Sequence, residues 1–176
     1  AGQRRGARQR IRDPHALSGA AMIDIGIDPG VGGAVAAIDP FGHITIIDIP
    51  TTIAPGAGMV RSFVDGWALA QALRQLVPPG HVGRCAHEAV HSFPGSRNAP
   101  QITFSLGESL GAVKTAIAVC RLTRIEVAPQ EWKRFYGLGA DKEQARRKAI
   151  DLLPDAAMML QRKRDHNRAE ALLIAH

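Results

Sequence analysis

The chain has 176 residues, 45% of them hydrophobic and 22% charged, which suits one domain with its own core and excludes a wholly disordered chain. Its two cysteines, Cys85 and Cys120, stand singly with no metal-ligand spacing, and no run approaches the roughly 20 consecutive apolar residues of a membrane span, so neither a structural zinc, a disulfide scaffold nor a membrane partner is expected. The net charge of +6 makes a polyanionic partner plausible. Residues 1–21 hold five arginines against one aspartate, a net +4, and have no apolar period. They read as a flexible arm. Met22 is the first methionine and opens a strand pattern. The arm is therefore expected to be a non-native extension of a domain spanning 22–176; the alternative is an Arg-rich transit peptide and an organelle location.

Residues 22–28, MIDIGID, alternate apolar and polar and predict a strand. PGVGG follows as a tight turn. AVAAID and HITIIDIP predict two more strands, joined by a turn at 40–42, so the first three strands form an antiparallel meander. Residues 50–60 read as loop. Residues 62–77 predict a helix with Phe63, Trp67, Leu69, Ala70, Leu73 and Leu76 on one face. A fourth strand at 83–90 ends in HEAV and a loop, HSFPGSRNAP, follows. Residues 101–120 predict a long helix rich in small residues, with Ser105, Ser109 and Ala112 on one face and Gly107 and Gly111 on another; these permit close approach to the sheet, the plainer expectation, or to a second subunit. RIEV is a fifth strand, and APQEWKRFYG a Pro-led helical turn with Trp132 expected in the core. DKEQARRKAIDLLP is amphipathic, with Ala145, Ala149, Ile150, Leu152 and Leu153 inward and Arg146, Arg147 and Lys148 outward. AEALLIAH closes the chain as an apolar helix. Strands alternating with helices make one mixed α/β domain.

Four acids stand where chemistry can gather. Asp28 closes the first strand and Glu88 the fourth; Asp165 and Glu170 begin the last helix, which is otherwise apolar. Strand ends and helix starts meet at one edge of an α/β sheet. Carboxylates brought together repel unless a cation neutralises them. Hard divalent ions prefer oxygen ligands, so Mg²⁺, with Mn²⁺ as a substitute, is the expected cofactor. Two such ions about 4 Å apart serve phosphodiester hydrolysis. Each acid also has a plain structural role open to it: turn residue, strand-end charge, N-cap or first-turn acid.

The strings IGIDPG (25–30), HEAV (87–90), APQEWK (128–133), GADK (139–142) and DHNRAEALLIA (165–175), in this order, resemble the RuvC-type Holliday junction resolvases of the ribonuclease H-like superfamily. The resemblance implies a mixed sheet, a three-strand antiparallel meander plus parallel strands, with helices on both faces. It implies a metal-dependent endonuclease that nicks four-way DNA junctions as a homodimer, without a small-molecule cofactor, in the cytoplasm of a bacterial or phage-infected cell. Asp28, Glu88, Asp165 and Glu170 would then hold Mg²⁺, and Lys133 and Lys142 would stand near the scissile phosphate. The ending resembles the phage and organelle branch, where the last two acids are five positions apart. The position three before Glu170 is Asn167, not a carboxylate, which makes Asp165 the expected ligand with His166 second. Five helical residues rotate about 140° net, so Asp165 is expected just ahead of the helix, its chain turning back toward Glu170.

Residues 121–170 carry 12 basic and 8 acidic residues, which supplies the charge for DNA. Arg97, Arg162, Lys163, Arg164 and Arg168 join the two lysines as expected DNA contacts, and Phe93 beside His91 is a candidate wedge between unstacked bases. An actin-like or sugar-kinase-like ATPase is the alternative enzyme, since IDPGVGG can cradle phosphate; the chain is short for its two lobes. A nuclease-inactive DNA-binding module is the third reading.

Overall fold

The computed structural model describes residues 20–54, 61–89 and 100–176. His91, Phe93, Arg97 and nearly all of the Arg-rich arm lie outside the described residues. The alternation in MIDIGID forms strand β1, Met22–Asp28, with Ile23, Ile25 and Ile27 on one side of the sheet and Gly26 on the other. Strands β2 (Ala34–Ile38) and β3 (Ile44–Asp48) continue the antiparallel meander, turned by Asp39, whose carboxylate accepts from the Phe41 and His43 backbone N–H groups at 2.8 and 2.9 Å. Strands β4 (Thr51–Ala54) and β5 (Arg61–Val64) pair as a separate two-stranded sheet. After helix α1 (Gly66–Leu76), β6 (Val82–Glu88) runs parallel to β1; after helix α2 (Pro100–Val119), β7 (Thr123–Val127) runs parallel to β6. The main sheet has the order β3-β2-β1-β6-β7. Helices α3 (Pro129–Phe135), α4 (Lys142–Leu152) and α5 (His166–Ala175) complete the chain, with 3-10 turns at Pro154–Met159 and Lys163–Asp165 before the last of them.

Helices α1 and α2 cover one face of the sheet and α3, α4 and α5 the other, which is the expected mixed-sheet architecture. The first core is built from large aliphatic side chains, among them Ile25, Ile27, Leu69, Leu73, Val113 and Ile117. The second is rich in alanine: Ala34, Ala36, Ala145, Ala149, Ala169, Ala171 and Ala175. On that side Gly26 is obligatory, because a Cβ there would lie 2.0 Å from the Ala171 carbonyl oxygen and 2.4 Å from the Ala175 nitrogen.

Several expectations from sequence are corrected. The span 62–77 is not one helix. Asp65 caps α1, its carboxylate accepting from the Ala68 N–H at 2.9 Å, and Phe63 before it pairs with Thr52 in β4–β5. Trp67, expected inward, is 67% exposed on the first turn of α1. Leu152 is exposed at the end of α4, and Arg146 lies along the protein rather than outward, donating to Glu143 and to the Leu160 carbonyl. Gly107 and Gly111 meet nothing within 4 Å among the described residues, so close packing on the sheet is not their role. Finally, Ile102–Val119 is long and apolar enough by composition to cross a membrane, with mean hydropathy 1.2 and 22% of it buried. Its hydropathy comes from scattered Ala, Val and Ile among small residues, without one unbroken apolar run. Ser109, Val113, Ala116 and Ile117 seat it on the core.

Candidate active site

Asp28 and Glu88 are the last residues of adjacent parallel strands, one position beyond the Ile27–His87 pair. Parallel pairing puts their side chains at the carboxyl edge of the sheet, where ligand sites of open α/β sheets form. The chain leaves β1 through a tight turn: Gly30 has φ +138°, and a Cβ on Gly33 would fall 2.0 Å from the Asp28 carbonyl oxygen. This turn walls one side of a cleft of about 530 Å³.

Helix α5 supplies the opposite wall. Because Gly26, Ala34 and Ala36 let its backbone settle onto β1 and β2, Glu170 reaches the same edge as Asp28 and lines the cleft. One turn earlier Asn167 lines it too, its side-chain N–H donating to the Gly32 carbonyl of the turn. Helix α3 closes the third side. Pro129 at its start fixes the entry. Buried Trp132 donates its indole N–H to Glu88 Oε2 at 2.9 Å. Lys133 places its ammonium 3.5 Å from Glu170 Oε1 and 5.1 Å from the Trp132 ring centre. Lys142, the first residue of α4, completes the lining.

Among the described residues three carboxylates therefore share one cleft with two ammonium groups and two carboxamides, those of Gln130 and Asn167. Burial, then the neighbouring carboxylates of Glu170 and Glu88, push the Asp28 carboxyl up to about 8 from its ordinary 3.8, against the pull of Lys142 and Lys133. Burial also raises Glu88, opposed by the Trp132 N–H and Lys133. Among the described residues no three His, Cys, Asp or Glu side chains are gathered closely enough to hold a metal ion as they stand. Glu88 is drawn to Trp132 and Glu170 to Lys133, so the acids share a field without converging on a point.

The placement of the expected residues divides cleanly. Asp28, Glu88, Glu170, Lys133 and Lys142 come together. Asp165 does not. It precedes α5 as expected from the helical geometry, but its carboxylate, 3% exposed, turns back on its own 3-10 turn. It accepts from the Arg162 backbone N–H at 2.8 Å and from Arg162 Nε and Nη2 at 3.0 and 2.8 Å. Those bonds hold it below the usual carboxylate range. The physical reason is proximity: a guanidinium three residues away competes with a cleft that already holds three acids. Asn167, which sequence passed over because it is no carboxylate, stands in the cleft instead; its place three before Glu170, on the same face of α5, was the signal.

Two expected DNA contacts are paired with acids of the same chain, although Arg162 stays exposed. Arg162 is bonded to Asp165, and Arg168 makes a bidentate pair with Asp48 at 2.6 Å for each bond. Lys163 and Arg164 are exposed. Arg164 lines a second groove of about 600 Å³ that meets the cleft at Val31–Gly33 and Asn167. His166 lines this groove rather than the cleft. His87, flanking Glu88, is fully buried on the α2 side of β6 and donates from Nδ1 to the Glu88 carbonyl; burial lowers its pKa and keeps it neutral.

No family model matches the chain and no curated protein matches it. Solved structures do. One is RuvC of T. thermophilus in complex with a Holliday junction substrate, with a TM-score of 0.52 at 16% identity over 88% of this chain and 90% of that one. Another is the Thermus thermophilus RuvC structure, with a TM-score of 0.50 at 18% identity over 88% of this chain and 91% of that one. The chain has the ribonuclease H-like fold of these RuvC structures.

Proposed function

We propose that this chain is a metal-dependent endonuclease of RuvC type that makes paired nicks in four-way DNA junctions, acting as a homodimer in the cytoplasm of a bacterial or phage-infected cell. The observation that carries the reading is the cleft: Asp28, Glu88 and Glu170 with Lys133 and Lys142, at the carboxyl edge of β1 and β6. The donor set fits a hard divalent cation. Among the described residues three carboxyl groups and the Gln130 and Asn167 amides offer oxygen donors, and no thiol or imidazole lines the cleft. Asp28, Glu88 and Glu170 would hold Mg²⁺, or Mn²⁺ in its place, with Asn167 in the position that sequence assigned to Asp165. Such an ion supplies charge neutralisation at a phosphodiester and a water of lowered pKa.

The protein's own groups do the rest. The lysines meet the phosphate and stabilise charge that grows on it. The Gly-rich turn leaves the cleft floor open to a backbone. Lys163 and Arg164 extend the positive surface beside it. Homodimerisation is proposed from the substrate, since a junction presents two equivalent strands to a twofold enzyme. The five-residue spacing of Asp165 and Glu170 points to the phage and organelle branch, which the proposal keeps as its finer reading within RuvC type.

A single-turnover assay on a synthetic four-way junction tests this. Paired nicks with Mg²⁺, none with EDTA and little cutting of duplex are expected. Binding without cutting in either Mg²⁺ or Mn²⁺, or turnover of ATP, overturns it. Light scattering at the monomer mass both free and with junction overturns the dimer.

A further inference from the structure

We infer that His166 is a positioning residue for Lys142, holding its ammonium at the cleft through a neutral acceptor. The role rests on the endonuclease reading; the contact itself does not. His166 Nδ1 lies 3.1 Å from the Lys163 carbonyl oxygen, and His166 Nε2 lies 3.2 Å from Lys142 Nζ. A carbonyl only accepts and an ammonium only donates. Nδ1 therefore carries the ring proton, and Nε2 presents its lone pair to Lys142. One tautomer of neutral imidazole satisfies both bonds; a protonated ring would set N–H against N–H.

The two lysines of the cleft are held differently. Lys133 sits against the Glu170 carboxylate, which offsets its charge. Lys142 is held by a ring without charge, so its full positive charge bears on the cleft, where it acts on Asp28 and Glu88. Its place in the fold needs a local partner. Lys142 opens α4, where the helix dipole disfavours a cation, while Asp141 caps that helix by accepting from the Glu143 N–H at 3.0 Å. His166 opens α5, and the two helices pack together. The first turns of α4 and α5 thus form one device: the Lys163 carbonyl orients the ring, and the ring orients the ammonium. His166 is not a metal ligand here, since it lines the neighbouring groove and its free nitrogen is already used.

A double-mutant cycle decides the role. His166→Ala is expected to slow single-turnover junction cutting about tenfold, as a misplaced catalytic group does, with junction affinity and Mn²⁺ affinity changed less than about twofold. On a Lys142→Ala background His166→Ala should slow cutting no further. His166→Gln should restore part of the rate, because its carboxamide oxygen can accept from Lys142. Equal slowing on both backgrounds, a fall in Mn²⁺ affinity, or a wild-type rate for His166→Ala overturns the inference. Nitrogen NMR of the full chain at alkaline pH reads the contact without any cutting. Nδ1 protonated, with an Nε2 signal that moves in Lys142→Ala, is expected. Nε2 protonated instead overturns the inference even if the protein cuts junctions, and a protein that cuts none fails the functional reading while this measurement still stands.

Discussion

The two faces of the main sheet are filled by different residues, and the difference explains where the site is. Under α1 and α2 the core is isoleucine, leucine and valine, whose bulk holds the helices off the strands. Under α5 the strands present Gly26, Ala34 and Ala36, and the helix backbone rests on β1 closely enough that Gly26 has no room for a methyl group. The large-residue face contributes stability through buried apolar area. The small-residue face also contributes reach: a glutamate on α5 extends to the edge of the strand below it and meets Asp28 there. The candidate site sits on the face where packing is closest.

The strongest break of this comparison removes an acid rather than a contact. Asp28→Asn and Glu170→Gln should each lower cutting by about 1,000-fold or more, as loss of one preorganised charge-handling group does, while junction binding persists. Asp28→Asn should also change the stability profile of the metal-free protein. The folded Asp28 carboxyl releases its proton at about 8 and the unfolded one near 3.8. Between those values the folded state holds the extra proton, so Asp28 makes stability fall as pH rises through that window. Thermal melts in EDTA should show that fall in the wild type and a flatter profile in the variant. A parallel profile for both, or near wild-type cutting, would remove Asp28 from the site.

A matched pair of core changes compares the faces directly. Gly26→Ala drives a methyl into the α5 backbone and should cost about 3 kcal/mol by overpacking, with a loss of cutting near 100-fold because Glu170 is carried away from Asp28. Ile25→Val, one residue earlier and on the other face, should cost about 1 kcal/mol and leave cutting intact. Equal effects of the two on cutting at matched folded fraction would mean that α5 does not need its close seat. A smaller effect belongs to Trp132→Phe, which keeps the ring in the core and removes the N–H that holds Glu88. Mn²⁺ affinity measured by calorimetry should fall about tenfold, the size of an outer-shell orienting contact.

The comparison also shows what sequence could and could not reveal. The five strands of the main sheet were legible because alternation and Gly-Pro punctuation survive in single segments such as MIDIGID and HITIIDIP. The β4–β5 pair was not, because TTIA and RSFV are four residues each and pair with one another instead of joining the main sheet. Asp28 and Glu88 were legible as acids at strand ends, and Glu170 as an acid in an apolar helix. Trp132 was placed in the core correctly, but its bond to Glu88 spans 44 positions and leaves no local pattern. Asp165 was expected beside Glu170 and its carboxylate instead bonds Arg162, because spacing cannot say which neighbour a carboxylate chooses.

Asp165 and Glu170 are the last and most discriminating pair: two acids five residues apart, one capped and one in the cleft. Asp165→Asn keeps an oxygen for the Arg162 N–H and loses the charge that draws the guanidinium. With Arg162 half exposed, screening trims the cost to about 1 kcal/mol. The sign with pH is opposite to that of Asp28. Arginine depresses the folded Asp165 pKa below its ordinary 3.8, so its contribution is present above that value and is lost as pH falls through the folded one. Wild type should therefore be more stable than Asp165→Asn at neutral pH, and the gap should close in acid. Cutting by Asp165→Asn should stay within about twofold of wild type at equal folded fraction, as expected for a residue remote from the reacting charge. A variant that melts like wild type but cuts 100-fold more slowly would return Asp165 to the metal site, and the cap around Arg162 would then have to open when the substrate binds.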